Sequence, residues 1–171
     1  MEHIAVSIID ALSAHHVSPQ IINFIIAMIP LLELRGSILV AGGALGLPFI
    51  QTYITAVLGN MLPIPFILLF IEKIFAFMKR AKHLRGIPDF FESRAMKKSD
   101  QIAKYGYLGL FLFVAIPLPG TGAWTGSLLA VLLGLDRKKS LLFIFFGVLT
   151  AGLIMSMISY GVIQTIIGLI N

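Results

Sequence analysis

Hydrophobic positions in this chain form long runs, with neither the strict alternation of a half-buried strand nor a sustained heptad. Four apolar stretches stand out, at Pro19–Leu47, Phe49–Phe77, Tyr105–Leu135 and 140–163. The second and fourth are long enough to cross a hydrocarbon core of about 30 Å as helices. A kink is expected in the second around Gly59, Pro63 and Pro65. In the fourth, Gly147/Ala151 and Gly152/Ser156 have the spacing of close helix packing. The first and third stretches are broken in the middle. Pro30, Glu33, Arg35 and Gly36 interrupt one, and Pro117, Pro119, Gly120 and Gly122 interrupt the other. The pattern predicts an all-α fold of alternating broken and unbroken apolar segments.

The two broken segments are also alike in order. Ile29-Pro30-Leu31, Gly36-Ser37, Leu45-Gly46-Leu47 and Gly59 are answered by Ile116-Pro117-Leu118, Gly126-Ser127, Leu133-Gly134-Leu135 and Gly147. The spacing between partners stays within a few residues along both halves. Weak internal repeats of this kind are typical of transporter folds.

Composition fits this reading. Of 171 residues, 58% are hydrophobic and 12% charged, where a soluble domain carries about 25% charged residues. Mean hydropathy is +0.97. With no cysteine there are no disulfides, zinc-thiolate sites, iron–sulfur clusters or cysteine nucleophiles. Met1-Glu2-His3 lacks the basic stretch of a signal peptide. The formal charge of +5 is concentrated between Lys79 and Lys104, which holds eight bases and three acids. A basic loop between apolar stretches marks the cytoplasmic side by the positive-inside rule, and no nucleic-acid partner is expected.

Charge also argues that the broken segments do not cross. In Ile21–Ala44 the apolar side chains favour insertion by roughly 4–7 kcal/mol, while Glu33 and Arg35 cost together roughly 5–7. Were Tyr105–Leu135 a span, Arg137, Lys138 and Lys139 would lie outside, against the rule. Entering and returning keeps them inside. The expectation is therefore an integral membrane protein with an inverted repeat, each half a re-entrant helical hairpin followed by a transmembrane helix. Its parts are an interfacial N-terminal helix (1–18), a first repeat (19–78: hairpin 19–47, span 49–77), a basic cytoplasmic linker (79–104) and a second repeat (105–171: hairpin 105–135, span 140–163). Residues 79–104 of an inner-membrane, multi-pass protein would face the cytoplasm, and Phe90, Phe91, Met96 and Ile102 offer contacts to an anionic leaflet.

The hairpin tips carry the candidate chemistry. Irregular backbone at membrane depth needs protein or a water-filled cavity around it. Both tips are therefore expected near the midplane, with the N-termini of their return helices pointing inward. Arg35 adds a forked donor suited to phosphate or carboxylate. Substrate contacts are expected from Arg35, Gly36, Asn60, Gly120, Thr121, Gly122, Trp124 and Thr125. Pro30, Pro117 and Pro119 are the hairpin breaks. Glu33 is the candidate proton carrier, with a structural Glu33–Arg35 pair as the alternative. Trp124 serves either as a cap on the site or as an interfacial anchor; Asn60 serves either the pathway or packing. His3, His15, His16 and His83 are expected to be solvated, and Glu72 and Lys73 interfacial. The apolar segments hold no metal-ligand cluster, nucleophile–base set or carboxylate pair, so neither an enzyme nor a cofactor is expected.

The segments Ile29-Pro30-Leu31-Leu32-Glu33-Leu34-Arg35-Gly36 and Ala115-Ile116-Pro117-Leu118-Pro119-Gly120-Thr121-Gly122-Ala123-Trp124-Thr125-Gly126 resemble the two signatures of the small multidrug export protein family. The likeness runs from about Pro19 onward. That family is in turn similar to the DedA (SNARE-associated, VTT-domain) superfamily. The second likeness implies paired re-entrant hairpins with embedded acids and arginines, and transport or scrambling of lipids, undecaprenyl phosphate included. DedA proteins usually carry an arginine in the second hairpin; here that tip has none. Residues and resemblance together lead to a proton-coupled transporter of an anionic amphiphile or lipid phosphate, or an exporter of drugs. An uncoupled lipid scramblase and a membrane scaffold or regulator are the alternatives. Membrane lipids are the expected partners, with a homodimer to enclose the site.

Overall fold

The computed structural model describes residues 2–81, 84–97, 99–118 and 120–170, with side chains set aside at 2–5, 42–43, 94–95, 101 and 162–170. Among the described residues all regular structure is helical. In chain order the helices are α1 (Glu2–Ala14), α2 (Pro19–Met28), α3 (Glu33–Gly43), α4 (Phe49–Met61), α5 (Ile64–Arg80), α6 (Gly86–Met96), α7 (Ser99–Ala115), α8 (Ala123–Leu132) and α9 (Arg137–Ile170). Two stretches are long and apolar enough to cross a membrane, Phe49–Arg80 and Arg137–Gly161. Each buries only 39% of its most apolar window inside the protein. Phe66, Phe70, Phe77, Phe146 and Met157 stand exposed on them. The core helix of a soluble protein would hide such side chains, whereas lipid accepts them.

The chain divides into two compact units, residues 1–62 with 148–171, and residues 63–147. In the first, α2 and α3 form a helical hairpin beside α4. Ile22, Ile26 and Leu32 make an apolar cluster onto which α1 docks through Ile8, Ile9 and Leu12. At the hairpin's base, Gln20 Nε2 donates to Gln51 Oε1 at 3.0 Å. In the second unit, α7 and α8 form a hairpin and α5 packs on α8. Gly106 interrupts α7 with φ +58°, so the arm that packs is 107–115. At this base the Asp136 N–H donates to Tyr107 Oη at 3.1 Å. Each hairpin thus closes on its own starting end.

Glycine sets the helix approach in both units. A Cβ on Gly59 would lie 2.2 Å from the Phe24 carbonyl oxygen and 3.0 Å from Ala27 Cβ. A Cβ on Gly147 would lie 3.1 Å from the Phe111 carbonyl oxygen and 2.7 Å from Val114 Cβ. The hairpins also end alike, with Gly46 (φ +60°) and Gly134 (φ +67°) in the left-handed turn that stops α3 and α8. The expected break in the second apolar stretch falls at Leu62–Pro63, between α4 and α5, where both residues keep right-handed helical dihedrals.

In the basic region, Lys79 Nζ lies 2.6 Å from Glu92 Oε2 and 3.8 Å from Asp89 Oδ1, tying α6 to the end of α5. Arg137 Nη2 meets Glu72 Oε2 at 3.0 Å, which puts the start of α9 beside the middle of α5, about two turns before Lys79. His15 and His16 are exposed. Lys82, His83 and Lys98 of the linker lie outside the described residues, as does the side chain of His3.

Candidate functional site

The first tip is built by a proline and a strained glutamate. Helix α2 stops at Ile29, whose backbone is extended, because Pro30 follows and disfavours helical dihedrals before it. The N–H groups of Leu32 and Glu33 then both donate to the Ile29 carbonyl, at 3.1 and 2.8 Å. Glu33 adopts φ +50° and opens α3. A left-handed backbone costs a non-glycine residue about 1–2 kcal/mol. Such strain clusters at functional sites, where surrounding structure imposes it. Glu33 is 6% exposed, and its carboxylate acts electrostatically on the half-buried Arg35 guanidinium. No side chain caps α3, so the acid stands at the positive end of an uncapped helix. Gly36 is half-buried against its own Leu32.

The second tip uses glycines where the first uses glutamate. Gly120 has φ +74° and Gly122 has φ +137°. Thr121 Oγ1 sits 3.1 Å from the Ile116 oxygen and 2.8 Å from the Leu118 oxygen. Its hydroxyl hydrogen is therefore directed into the loop's own carbonyls, and Thr121 holds the shape of the tip. Pro117 is half-buried at the break, Thr125 is half-buried in the first turn of α8, and Pro119 lies outside the described residues. Trp124 lines a groove of about 720 Å³ that runs along α5 past Pro63, Phe66, Phe70, Ile74 and Phe77, with Lys73 on its edge. The surface of this groove is almost wholly apolar. The two tips belong to different units.

Asn60 is fully buried on α4, next to the glycine that abuts Phe24, and neither of its amide atoms has a hydrogen-bond partner. The structure adds residues that sequence reading missed. Asn23 is fully buried and donates to the Thr52 oxygen at 3.0 Å and to Thr55 Oγ1 at 2.6 Å. Thr52 Oγ1 lies 2.6 Å from Tyr160 Oη, which donates to the Leu47 oxygen. Ser156 is fully buried with an unpartnered hydroxyl. The available signal was polar residues on one face of apolar helices, Thr52 and Asn60 eight apart on α4, and Ser156 and Tyr160 four apart on α9. Among the described residues no group of three His, Asp or Glu is placed to hold a metal ion.

A tip with a buried glutamate two residues from a half-buried arginine, a second glycine-threonine tip and two long apolar stretches stand beside the family match. The model of the small multi-drug export protein family matches residues 33–154, from Glu33 in the first tip through the second tip and into the first half of α9. The chain belongs to that family. No curated protein and no solved structure matches the chain significantly. For a small multi-drug export protein, transport across a membrane is the activity its apolar helices can support. The match begins at Glu33 itself.

Proposed function

We propose that this protein is a proton-coupled secondary transporter that exports anionic amphiphiles, lipid phosphates or amphiphilic drugs of that character. The observation that carries the reading is the first hairpin tip, where Glu33 is buried in a strained backbone two residues from Arg35. Arg35 supplies the fork for a phosphate or carboxylate, with Gly36 and the uncapped α3 N-terminus leaving room for it. Glu33, alternately protonated and ionised, changes the charge next to that fork and so couples proton movement to substrate release. In the other unit, the groove beside Trp124 is lined mostly by hydrocarbon, a surface that suits an apolar ligand. Gly120, Thr121, Gly122 and Thr125 shape the second tip, at which a substrate would meet backbone rather than charge.

Both hairpins are read as re-entrant and the two halves as an inverted repeat. Support comes from the closed hairpin bases, from the matched contacts of Gly59 and Gly147, and from Arg137 lying against Glu72. That last pair keeps the Arg137–Lys139 triplet on the side of Lys79 and Arg80, the side read as the cytoplasm. The test is uptake of a fluorescent anionic amphiphile into proteoliposomes under an imposed pH gradient. Arg35→Lys should retain charge and fold but lose uptake roughly tenfold, as one bidentate contact is worth about 1–2 kcal/mol. Undiminished uptake in Arg35→Lys would remove the substrate fork from the reading.

A further inference from the structure

Buried polar atoms in a membrane-embedded helix must find partners, because lipid offers none. Among the described residues of the unit formed by 1–62 and 148–171, three fully buried side chains leave such atoms without one. They are Asn60 (Oδ1 and Nδ2), Ser156 (Oγ) and Asn23 (Oδ1). Asn60 belongs to a row on α4 and Ser156 to a row on α9, while Asn23 meets the α4 row from α2. Along α4 the row reads Thr52, Ala56, Asn60, and along α9 it reads Tyr160, Ser156, Gly152, each at four-residue spacing. Thr52 meets Tyr160 at 2.6 Å, while a Cβ on Gly152 would lie 3.4 Å from Val57 Cγ2, so the helices run antiparallel here. A Cβ on Gly152 would also lie 3.0 Å from the Tyr53 ring, so the missing side chain makes room for that ring, and Ala56 is the small residue between Thr52 and Asn60.

The row has two distinct ends. At one end the Gln20–Gln51 pair is exposed, just before Thr52 and Asn23. At the other, Asn60 follows Gly59, which abuts the last turns of α2 and so the approach to the tip. The fold itself does not demand this polarity. Adding the repeat spacing carries Asn23 to Leu110 and Asn60 to Val148, both apolar and both fully buried. A hairpin with a helix beside it therefore packs without amides at these places.

We infer that water occupies this row: a hydrated seam between α4 and the second half of α9 joins the Gln20–Gln51 end of the unit to the hairpin tip and delivers protons to Glu33. Its proton-carrying role rests on the reading of Glu33 given above, and Arg35 is the charged group that acts on that carboxylate. Hydration of the seam stands independently. The chain has no cysteine, so single thiols can be introduced without a background. Silver ion, supplied as the nitrate in chloride-free buffer, reaches thiols wherever water reaches. Thiols left unreacted in proteoliposomes are counted by maleimide after unfolding. Asn60→Cys and Ser156→Cys should react at least tenfold faster than Ile26→Cys, which is equally buried in the apolar cluster on α2. Equal, slow reaction at all three positions would overturn the seam. As a second measurement, Asn60→Val copies the matched Val148. It should fold with an unchanged melting temperature and slow pH-driven uptake at least tenfold; unchanged uptake would overturn the proton route. Because silver reactivity does not depend on transport, a wild-type protein without pH-driven uptake would end the Glu33 reading and leave the seam to the thiol rates.

Discussion

Glu33 and Gly120 occupy the same place in two hairpin tips, each a few residues past its tip's first proline, with φ +50° and +74°. One tip fills this left-handed position with the residue that adopts it freely. The other fills it with a buried carboxylate that does not. A strained backbone persists when surrounding structure over-determines it, and in the function proposed above the carboxylate's chemistry is what the strain serves.

Replacing Glu33 by glycine should therefore separate stability from activity. The backbone relaxes by about 1–2 kcal/mol, partly offset by the roughly 0.5–1 kcal/mol entropic cost of a new glycine. Glu33→Gly is expected to melt no lower than wild type in detergent while losing pH-driven uptake. The converse change, Gly120→Ala, should lower stability by about 1 kcal/mol, since its backbone would then carry the strain. A Glu33→Gly protein that melts well below wild type would return Glu33 to a structural role.

Packing at Gly59 gives a sharp contrast between glycines. With only 2.2 Å between its Cβ position and the Phe24 oxygen, Gly59→Ala must push α4 away from α2. The cost should reach or exceed the roughly 1–3 kcal/mol typical of overpacking. Gly147→Ala, at 2.7 Å from Val114 Cβ, should fall in the same range. Gly86→Ala, with open space around it, should stay near zero. Thermal unfolding of the three variants in one detergent checks the order.

Topology follows from the ion pairs on α5. Cysteines at Arg80 and Lys138 should label from one side of sealed vesicles, because Arg137 pairs with Glu72 in the second half of the Phe49–Arg80 stretch. A cysteine at Gln51 should label from the other side. Opposite labelling at positions 80 and 138 would make residues 105–135 a span.

Much of this organisation was legible in the sequence, because it rests on breakers and charges. Pro30 and Pro117 cannot continue a helix, so both hairpin turns follow from residue type. Leu-Gly-Leu at 45–47 and 133–135 announced the left-handed stops. What escaped was what depends on partners. The strain at Glu33 arises because Leu32 and Glu33 share one carbonyl, which no residue pattern announces. Thr121 looked like a substrate donor, yet its hydroxyl is directed to the loop's own carbonyls. Trp124 was weighed as cap or anchor, and only the surface of α5 opposite it reveals the apolar groove. In the Asn23–Thr52–Tyr160 network, the spacing of polar residues marks helix faces, but which faces meet depends on partners up to 108 positions apart.

The groove makes its own prediction. Trp124 is the single tryptophan, so its fluorescence reports one site. A brominated alkyl amphiphile that enters the groove should quench it, and Phe70→Trp, across the groove, should add a second quenched emitter. Quenching by headgroup-level probes alone would place the ring at the interface.

The most direct measurement of the central claim compares two assays on Glu33→Gln in proteoliposomes: uptake driven by a pH gradient, and substrate exchange at equal pH on both sides. A neutral amide keeps the size of the side chain but cannot titrate. Exchange should persist while pH-driven accumulation is abolished. Full pH-driven accumulation in Glu33→Gln would contradict proton coupling through this residue.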